Sequence, residues 1–250
     1  HRAGTVGQRL PHQALQAWRV DGAGLAIGAC PTGEIGVIGI AGPNVFPGYL
    51  NAHDNQGIWL APGWLNTGDL GYLDADGYLH LTGRAKDLII RGGHNIDPAM
   101  IEEALLRHPA VAQAAAVGQP DEHAGELPVA YVALKAGAAI AAAQLLEEVR
   151  GLVAERAAAP VRIELLAQIP LTAIGKIAKA ELRMRAAAHV FGEKLAQLGI
   201  PAAVAVRADV RRGAVAVLDV AAAQAGQARA ALARYGYPVD LAPADGKEPS

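Results

Sequence analysis

Cysteine is nearly absent: Cys30 stands alone in 250 residues, so no intrachain disulfide can form and a reducing, cytoplasmic setting is expected. An excess of either charge is lacking too. The 22 Lys and Arg against 24 Asp and Glu leave a formal net charge of −2. With no basic run or stripe, no nucleic-acid partner is expected. No apolar stretch approaches the roughly 20 residues of a spanning helix, so no membrane span is expected. The chain opens at His1 with neither Met nor a signal-peptide pattern, and reads as a piece of a longer polypeptide. No internal repeat is apparent.

Several chemistries lack their signatures. "GAGLAIG" at 22–28 spaces its glycines one residue too wide for a dinucleotide loop, and no helix follows. "DADG" at 74–77 opens like a calcium loop but reaches Ala85 where the closing Glu would stand. The eight histidines form no HExxH or paired metal spacing. No G-x-S-x-G elbow for a serine nucleophile occurs. No metal ligands are assigned within the chain.

What is present is a globular composition, 52% hydrophobic and 18% charged, with α+β grammar. Residues 1–84 carry short apolar runs between Gly and Pro turns, which predicts a β-rich, barrel-like or distorted sheet. "GYLDADGYLHL" (71–81) predicts a hairpin about Asp76-Gly77. From 97 the pattern changes. Asp97 as N-cap and Pro98 at the first helical position predict a helix, with Ile101, Ala104, Leu105 and His108 on one face. Strands are predicted at 111–117 and 127–134 around a loop at 118–126, then a long helix at 141–159 ended by Pro160, a strand at "VRIELLAQI" and a short helix at 179–187. After 188 come a further helix, two strands joined by the turn at 211–213, another helix and a short "PVDL". Three parts are expected: 1–84, 85–187 and an additional α+β module at 188–250.

Four stretches carry candidate chemistry. "TGD" at 67–69 sets Asp69 beyond a Thr-Gly turn, and an ionised carboxylate can accept two hydrogen bonds from a vicinal diol. "GRAKD" at 83–87 places Arg84, Lys86 and Asp87 where the grammar changes. "RGGHN" at 91–95 puts Gly92 and Gly93 after a short apolar strand, where a backbone can approach a ligand or take positive φ. "IPLTAIGKIAKAEL" at 169–182 sets Lys176 after a glycine, ahead of a helix, where a flexible ammonium can meet developing negative charge. Singly, each would pass for an ordinary turn, linker or solvated lysine.

In this order the segments "GEIGVIGIAGPNVFPGYLN", "GWLNTGDLGYLDADGYLHLTGRAKDLIIRGGHNIDPAMIE" and "PLTAIGKIAKAELR" resemble the C-terminal part of the acyl-adenylate-forming enzymes, a superfamily that includes the acyl-CoA synthetases, the luciferases and the adenylation domains of peptide synthetases. The resemblance covers roughly residues 4–186. It implies that residues 1–84 end a large AMP-binding domain and that 85–187 form a small mobile lid. It also implies that Asp69 and Arg84 hold the ribose of ATP or AMP, and that Lys86 is the hinge. Gly92 and Gly93 would meet the pantetheine arm of CoA, and Lys176 would be the catalytic lysine of adenylation. The implied substrates are a carboxylic acid, ATP and CoA, with magnesium held by residues upstream. The phosphate loop, the magnesium segment and the acid pocket of the family are not in this sequence, so the isolated chain is expected to be inactive.

The sequence departs from the family's pattern at Leu171-Thr172, where Lys-Thr is usual, at Ile174, often small or hydroxylated, and at Met100, often Glu. "GGHNIDP" and the style of 155–170 most resemble acyl-CoA synthetases for fatty or other apolar acids. A carrier domain is not expected after 188, where no serine precedes Ser250. The alternative reading is a non-catalytic binding or assembly module that keeps the family fold, with 188–250 mediating contact between like subunits.

Overall fold

The computed structural model describes residues 2–153 and 155–242. The chain divides into two compact units, 1–88 and 89–250.

The first unit is built on antiparallel strands: β1 (Gly7–Gln8), β2 (Ala14–Val20), β3 (Ala26–Ala29), β4 (Gly36–Ala41), β5 (Trp59–Ala61), β6 (Trp64–Leu73) and β7 (Tyr78–Arg84). They form one sheet in the order β1-β7-β6-β4-β2-β3, with β5 also on β6. Among the described residues the two ends of this path, β1 and β3, are not paired with each other, so the sheet is open. The expected barrel is corrected on that point: short end strands of two and four residues give too little ladder to close a cylinder. Ala17, Cys30, Ile38 and Leu79 make a small core, and Trp18 meets Trp64 edge-on at 5.1 Å. The 71–81 hairpin forms as its Asp-Gly turn predicts, with Asp74 accepting from the backbone N–H groups of Asp76 and Tyr78. After β7 a single 3₁₀ turn, Ala85–Asp87, ends the unit.

The second unit opens with a hairpin of β8 (Ile89–Arg91) and β9 (His94–Ile96) and continues with α1 (Pro98–Leu106). Asp97 caps α1 as its sequence requires, its side chain accepting the Ala99 N–H at 2.9 Å. Next come β10 (Val111–Asp121), β11 (Gly125–Leu134), α2 (Ala142–Arg150), β12 (Arg162–Leu165) and α3 (Lys179–Gln197). Strands β10 and β11 run to within three residues of each other, replacing the expected 118–126 loop by ladder. Helix α2 stops at Gly151 rather than continuing to 159, and Val153 turns back into the core at 8% exposure. Strand β12 lies parallel to β11, while β8 touches β11 through the Arg91–Gly125 pair.

Residues on both faces of this five-stranded sheet are buried, which explains the near-continuous apolar run of β10 and β11. One face packs Ile101 and Leu105 of α1 with Leu145 and Val149 of α2. The other packs Ala115, Val117, Val129 and Tyr131 against Leu182 and Ala186 of α3. The same helix then serves a second sheet of β13 (Ala202–Asp209), β14 (Gly213–Val220) and β15 (Val239–Leu241). Ala187, Phe191 and Leu195 meet Ala216 and Leu218 there, together with Ala228 and Leu232 of α4 (Ala225–Leu232). The two helices expected at 179–187 and beyond 188 are therefore one. Its apolar positions 182, 186, 187, 191 and 195 recur at helical spacing without a breaker, so nothing stops propagation at 188.

Candidate functional site

In the first unit the candidate residues sit where β6 is distorted. Val37 pairs with Leu70 and Gly39 with Asn66, so Ile38 alone stands opposite Thr67, Gly68 and Asp69. This bulge needs a residue of positive φ, and Gly68 supplies it at +74°. The Thr67 hydroxyl donates to the Ile38 carbonyl at 2.8 Å and accepts the Asp69 N–H at 3.1 Å. Asn66 accepts the Gly68 N–H at 2.8 Å. Each letter of the Thr-Gly-Asp motif thus has a structural task, and the result is a fixed Asp69 backbone.

Across the ladder Asp69 pairs with Arg84. Arg84 Nε lies 2.8 Å from Asp69 Oδ1, with the Asp69 side chain 25% exposed and that of Arg84 47% exposed. A carboxylate that accepts and a guanidinium that donates, side by side and open to solvent, can hold the two hydroxyls of a ribose. Lys86 follows on the 3₁₀ turn, exposed, between extended residues Arg84 and Leu88 and two residues before the first unit ends.

In the second unit Gly92 and Gly93 are the two central residues of the β8–β9 turn, with φ of +56° and +85°. Two successive positive φ values define the tight turn that matches strand twist. The pair therefore closes a hairpin, with β9 and the Asp97 cap standing between it and α1. A Cβ built on either glycine meets nothing within 4 Å, so the requirement is conformational and the outer side of the tip is open. The tip is tied behind: the Gly92 N–H donates to the Ala124 carbonyl at 2.7 Å, and the Ile90 N–H donates to Glu126 Oε2 at 2.9 Å.

Directly before the glycines, Arg91 lines a cavity of about 520 Å³ with Arg150, Arg156 and Pro160. Arg91 donates to the Ala157 carbonyl at 2.7 Å, and Arg150 pairs with Glu147 at 2.6 Å. Three guanidinium groups around one opening, opposed by a single paired carboxylate, suit an anion with several oxygens. Sequence reasoning missed this group. Its members come from a strand end, a helix end and a 3₁₀ turn, and only the fold brings them together.

Lys176 lies on an exposed turn between β12 and α3. Leu171 and Ile177 form a lone bridge, the Thr172 N–H donates to the Lys176 carbonyl at 2.6 Å, and the Gly175 N–H donates to the Thr172 carbonyl at 2.8 Å. The Lys176 N–H is held by the Thr172 hydroxyl at 3.1 Å. Thr172 thus fixes the lysine's backbone while its ammonium stays in solvent, with Leu171 and Ile174 also exposed at 52% and 78%. The structure brings Asp69 and Arg84 together in one unit. It places the glycine pair and Lys176 on two separate loops of the other.

Comparison with known proteins agrees with the resemblance drawn above. Residues 100–176 match the family described as AMP-binding enzyme C-terminal domain. The marinolic acid–CoA ligase of Pseudoalteromonas sp. (strain SANK 73390) is 54% identical over 182 residues, covering 73% of this chain and 28% of that protein. The indoleacetate–CoA ligase of Aromatoleum aromaticum is 39% identical over 193 residues, covering 77% and 37% respectively. Among solved structures, the ATP-bound MatB of Rhodopseudomonas palustris superposes with a TM-score of 0.65 at 34% identity, covering 72% of this chain and 35% of that one. The O-succinylbenzoate CoA synthetase (MenE) of Bacillus subtilis in complex with AMP gives 0.62 at 36% identity, covering 73% and 36%. The chain spans about a third of the length of the relatives it matches. Among the described residues no helix is long and apolar enough to cross a membrane.

Proposed function

We propose, for a chain that carries the AMP-binding enzyme C-terminal domain, that the parent protein is a carboxylic acid–CoA ligase working through an acyl-adenylate. In the first half-reaction a carboxylate oxygen attacks the α-phosphorus of ATP, the bond to the β-phosphate oxygen breaks, and pyrophosphate leaves. In the second a thiol attacks the acyl carbonyl and AMP leaves. Asp69 and Arg84 hold the ribose. The Lys176 ammonium stabilises charge gathering on the phosphoryl oxygens, an effect larger in the transition state than in the ground state. Lys86 is the hinge about which the unit carrying Lys176 changes pose between the two half-reactions. The Gly92–Gly93 tip receives the pantetheine arm, and Arg91, Arg150 and Arg156 receive the phosphates of CoA.

The observation that carries this reading is the Asp69–Arg84 pair, 2.8 Å apart on a bulge whose every residue has a bonding role. The arginine cavity beside the hairpin favours CoA over a thiol that lacks phosphates. A fatty or other apolar acid is our reading of the substrate. The acids named for relatives include sulfoacetate, indoleacetate and 2-succinylbenzoate, so the acid varies while this portion stays similar. Among the described residues no three His, Cys, Asp or Glu side chains converge as a metal site, and no step is assigned to magnesium.

The test uses the full-length parent: acid-dependent ATP–pyrophosphate exchange over a panel of fatty and aromatic acids, in wild type and Lys176→Ala. The expected loss of exchange is 100-fold or more, of the order seen when one preorganised donor is removed, with thioester formation from supplied acyl-AMP retained. Exchange that survives the substitution would refute the role of Lys176. The 250 residues alone should form no acyl-CoA, and turnover above background would refute that.

A further inference from the structure

The turn between β10 and β11 holds the glycine hairpin from behind and is itself held by residues beyond 188. Asp121 Oδ1 accepts the backbone N–H groups of His123 and Ala124 at 3.0 and 2.8 Å, which fixes the turn. The Ala124 carbonyl then accepts the Gly92 N–H at 2.7 Å, and Gly125 pairs with Arg91. Between these residues Glu122 points the other way. Its side chain is only 14% exposed, with Oε1 2.5 Å from Lys194 Nζ in the last turn of α3 and Oε2 3.9 Å from Arg234. The Tyr235 phenol lies beside Glu122, and burial and then that acid push its pKa up to about 12, so it stays protonated.

Tyr235 and Tyr237 both pack on Phe191, with ring centroids 5.1 Å away in each case. Burial, and then the nearby charge of Glu126, raise the Tyr237 pKa. Glu126 is the residue that accepts the Ile90 N–H. The segment 234–237 therefore lies near both Glu122, in the turn, and Glu126, which holds the Ile90 N–H of β8. The base of the hairpin is anchored by Ile89 and Ile96 in the α1–α2 core and by Arg91 on the Ala157 carbonyl, which leaves the tip to the turn behind it. Strands β8 and β9 are three residues each, and the space beyond the glycines is open.

We propose that Glu122, held by Lys194 and Tyr235, is a positioning residue for the Gly92–Gly93 edge, so that residues 188–242 act on the thiol step and not on adenylation. The proposal rests on the acyl-CoA ligase reading above. A glutamate on a lone turn would be a solvated charge. Here two cations and a phenol converge on it, and the turn is one hydrogen bond from the edge that meets the pantetheine arm. Glu122 Oε1 is shielded from solvent with no hydrogen-bond partner among the described residues and depends on its ion pair with Lys194, so neutralising the acid releases the turn and the tip with it.

The experiment compares full-length wild type with Glu122→Gln and Tyr235→Phe, which keep shape and leave the glycines, Lys176 and the arginine cavity untouched. Expected are unchanged pyrophosphate exchange and a rise of about tenfold in KM for CoA, a factor that one weakened, shielded ion pair can supply. Faster amide exchange over residues 89–96 is expected too, with α1 and α2 unaffected. Equal loss of both half-reactions would reduce Glu122 to a fold-stabilising contact and overturn the proposal, as would an unchanged KM. If wild type supports no acid-dependent exchange, the ligase reading fails by itself. Amide exchange over 89–96 then decides alone: faster in the variants upholds the coupling, and unchanged rates overturn it.

Discussion

Asp69 and Arg84 are direct cross-strand partners, their side chains 2.8 Å apart across the β6–β7 ladder before any nucleotide arrives. The pair is half in solvent, so its loss should matter to a ligand far more than to the fold. Asp69→Asn and Arg84→Ala should each raise KM for ATP in pyrophosphate exchange by about tenfold. Stability should fall by no more than about 1 kcal/mol, the range of exposed ion pairs. Exchange kinetics beside a urea titration separate the two effects. A large stability loss with normal KM would make the pair purely structural.

Gly92 and Gly93 need their positive φ but leave room for a side chain. Gly92→Ala and Gly93→Ala should therefore cost about 1–2 kcal/mol each through backbone strain alone, while Gly93→Asn should cost less because Asn tolerates this region. Urea unfolding checks the order. In the full-length protein all three should slow thioester formation from acyl-AMP and leave exchange near wild type.

The arginine cavity makes a prediction about the thiol. Arg150→Ala and Arg156→Ala should raise KM for CoA by about tenfold and leave KM for pantetheine, which has no phosphates, unchanged. Both side chains are exposed, so stability should move by less than about 0.5 kcal/mol. Equal effects on both thiols would remove phosphate recognition from this cavity.

Glu164 sets a pH dependence. Burial alone would raise its pKa, yet Arg162 and Arg185 outweigh burial and hold it below the ordinary 4.5. Arg162 Nη1 lies 2.8 Å and Arg185 Nε 2.8 Å from its oxygens. A carboxyl depressed in the folded state contributes stability that is present above its unfolded pKa and lost as pH falls through the folded one. The urea midpoint should therefore drop on acidification below about pH 4.5. Glu164→Gln should be less stable at pH 7 by up to about 1 kcal/mol, since Arg185 is half exposed, and flatter across the acid limb. An identical acid limb in the variant would assign the loss to other carboxylates.

Local signals in the sequence were read correctly where one residue settles the geometry. Asp97 and Pro98 start α1, and Asp76-Gly77 turns the β6–β7 hairpin. Changes of composition are poorer guides to where elements end. Pro120 was no barrier to β10, because it sits near the strand's end opposite Glu126. Gly192 did not break α3, because Phe191 and Leu195 on either side of it are fully packed. Gly151, passed over as part of a longer helix, is where α2 ends. The motif residues themselves were legible because turns need their particular amino acids. The arginine cavity and the grip on Glu122 were not, since both join residues separated by dozens of positions.

Helix α3 has a consequence for anyone who would exchange parts of this protein. Its first half belongs to one core and its second half to another, with Ala186 and Ala187 adjacent in sequence and facing different sheets. A crossover at residue 187, after which the sequence predicts an additional module, cuts a continuous rod and leaves Phe191 and Leu195 with no helix to continue. The usable seam lies after the helix, at Gly199, where φ of +69° already ends the rod. Recombination there would keep the grip of Lys194 on Glu122 while separating it from Tyr235, so each half of the clamp could be inherited on its own.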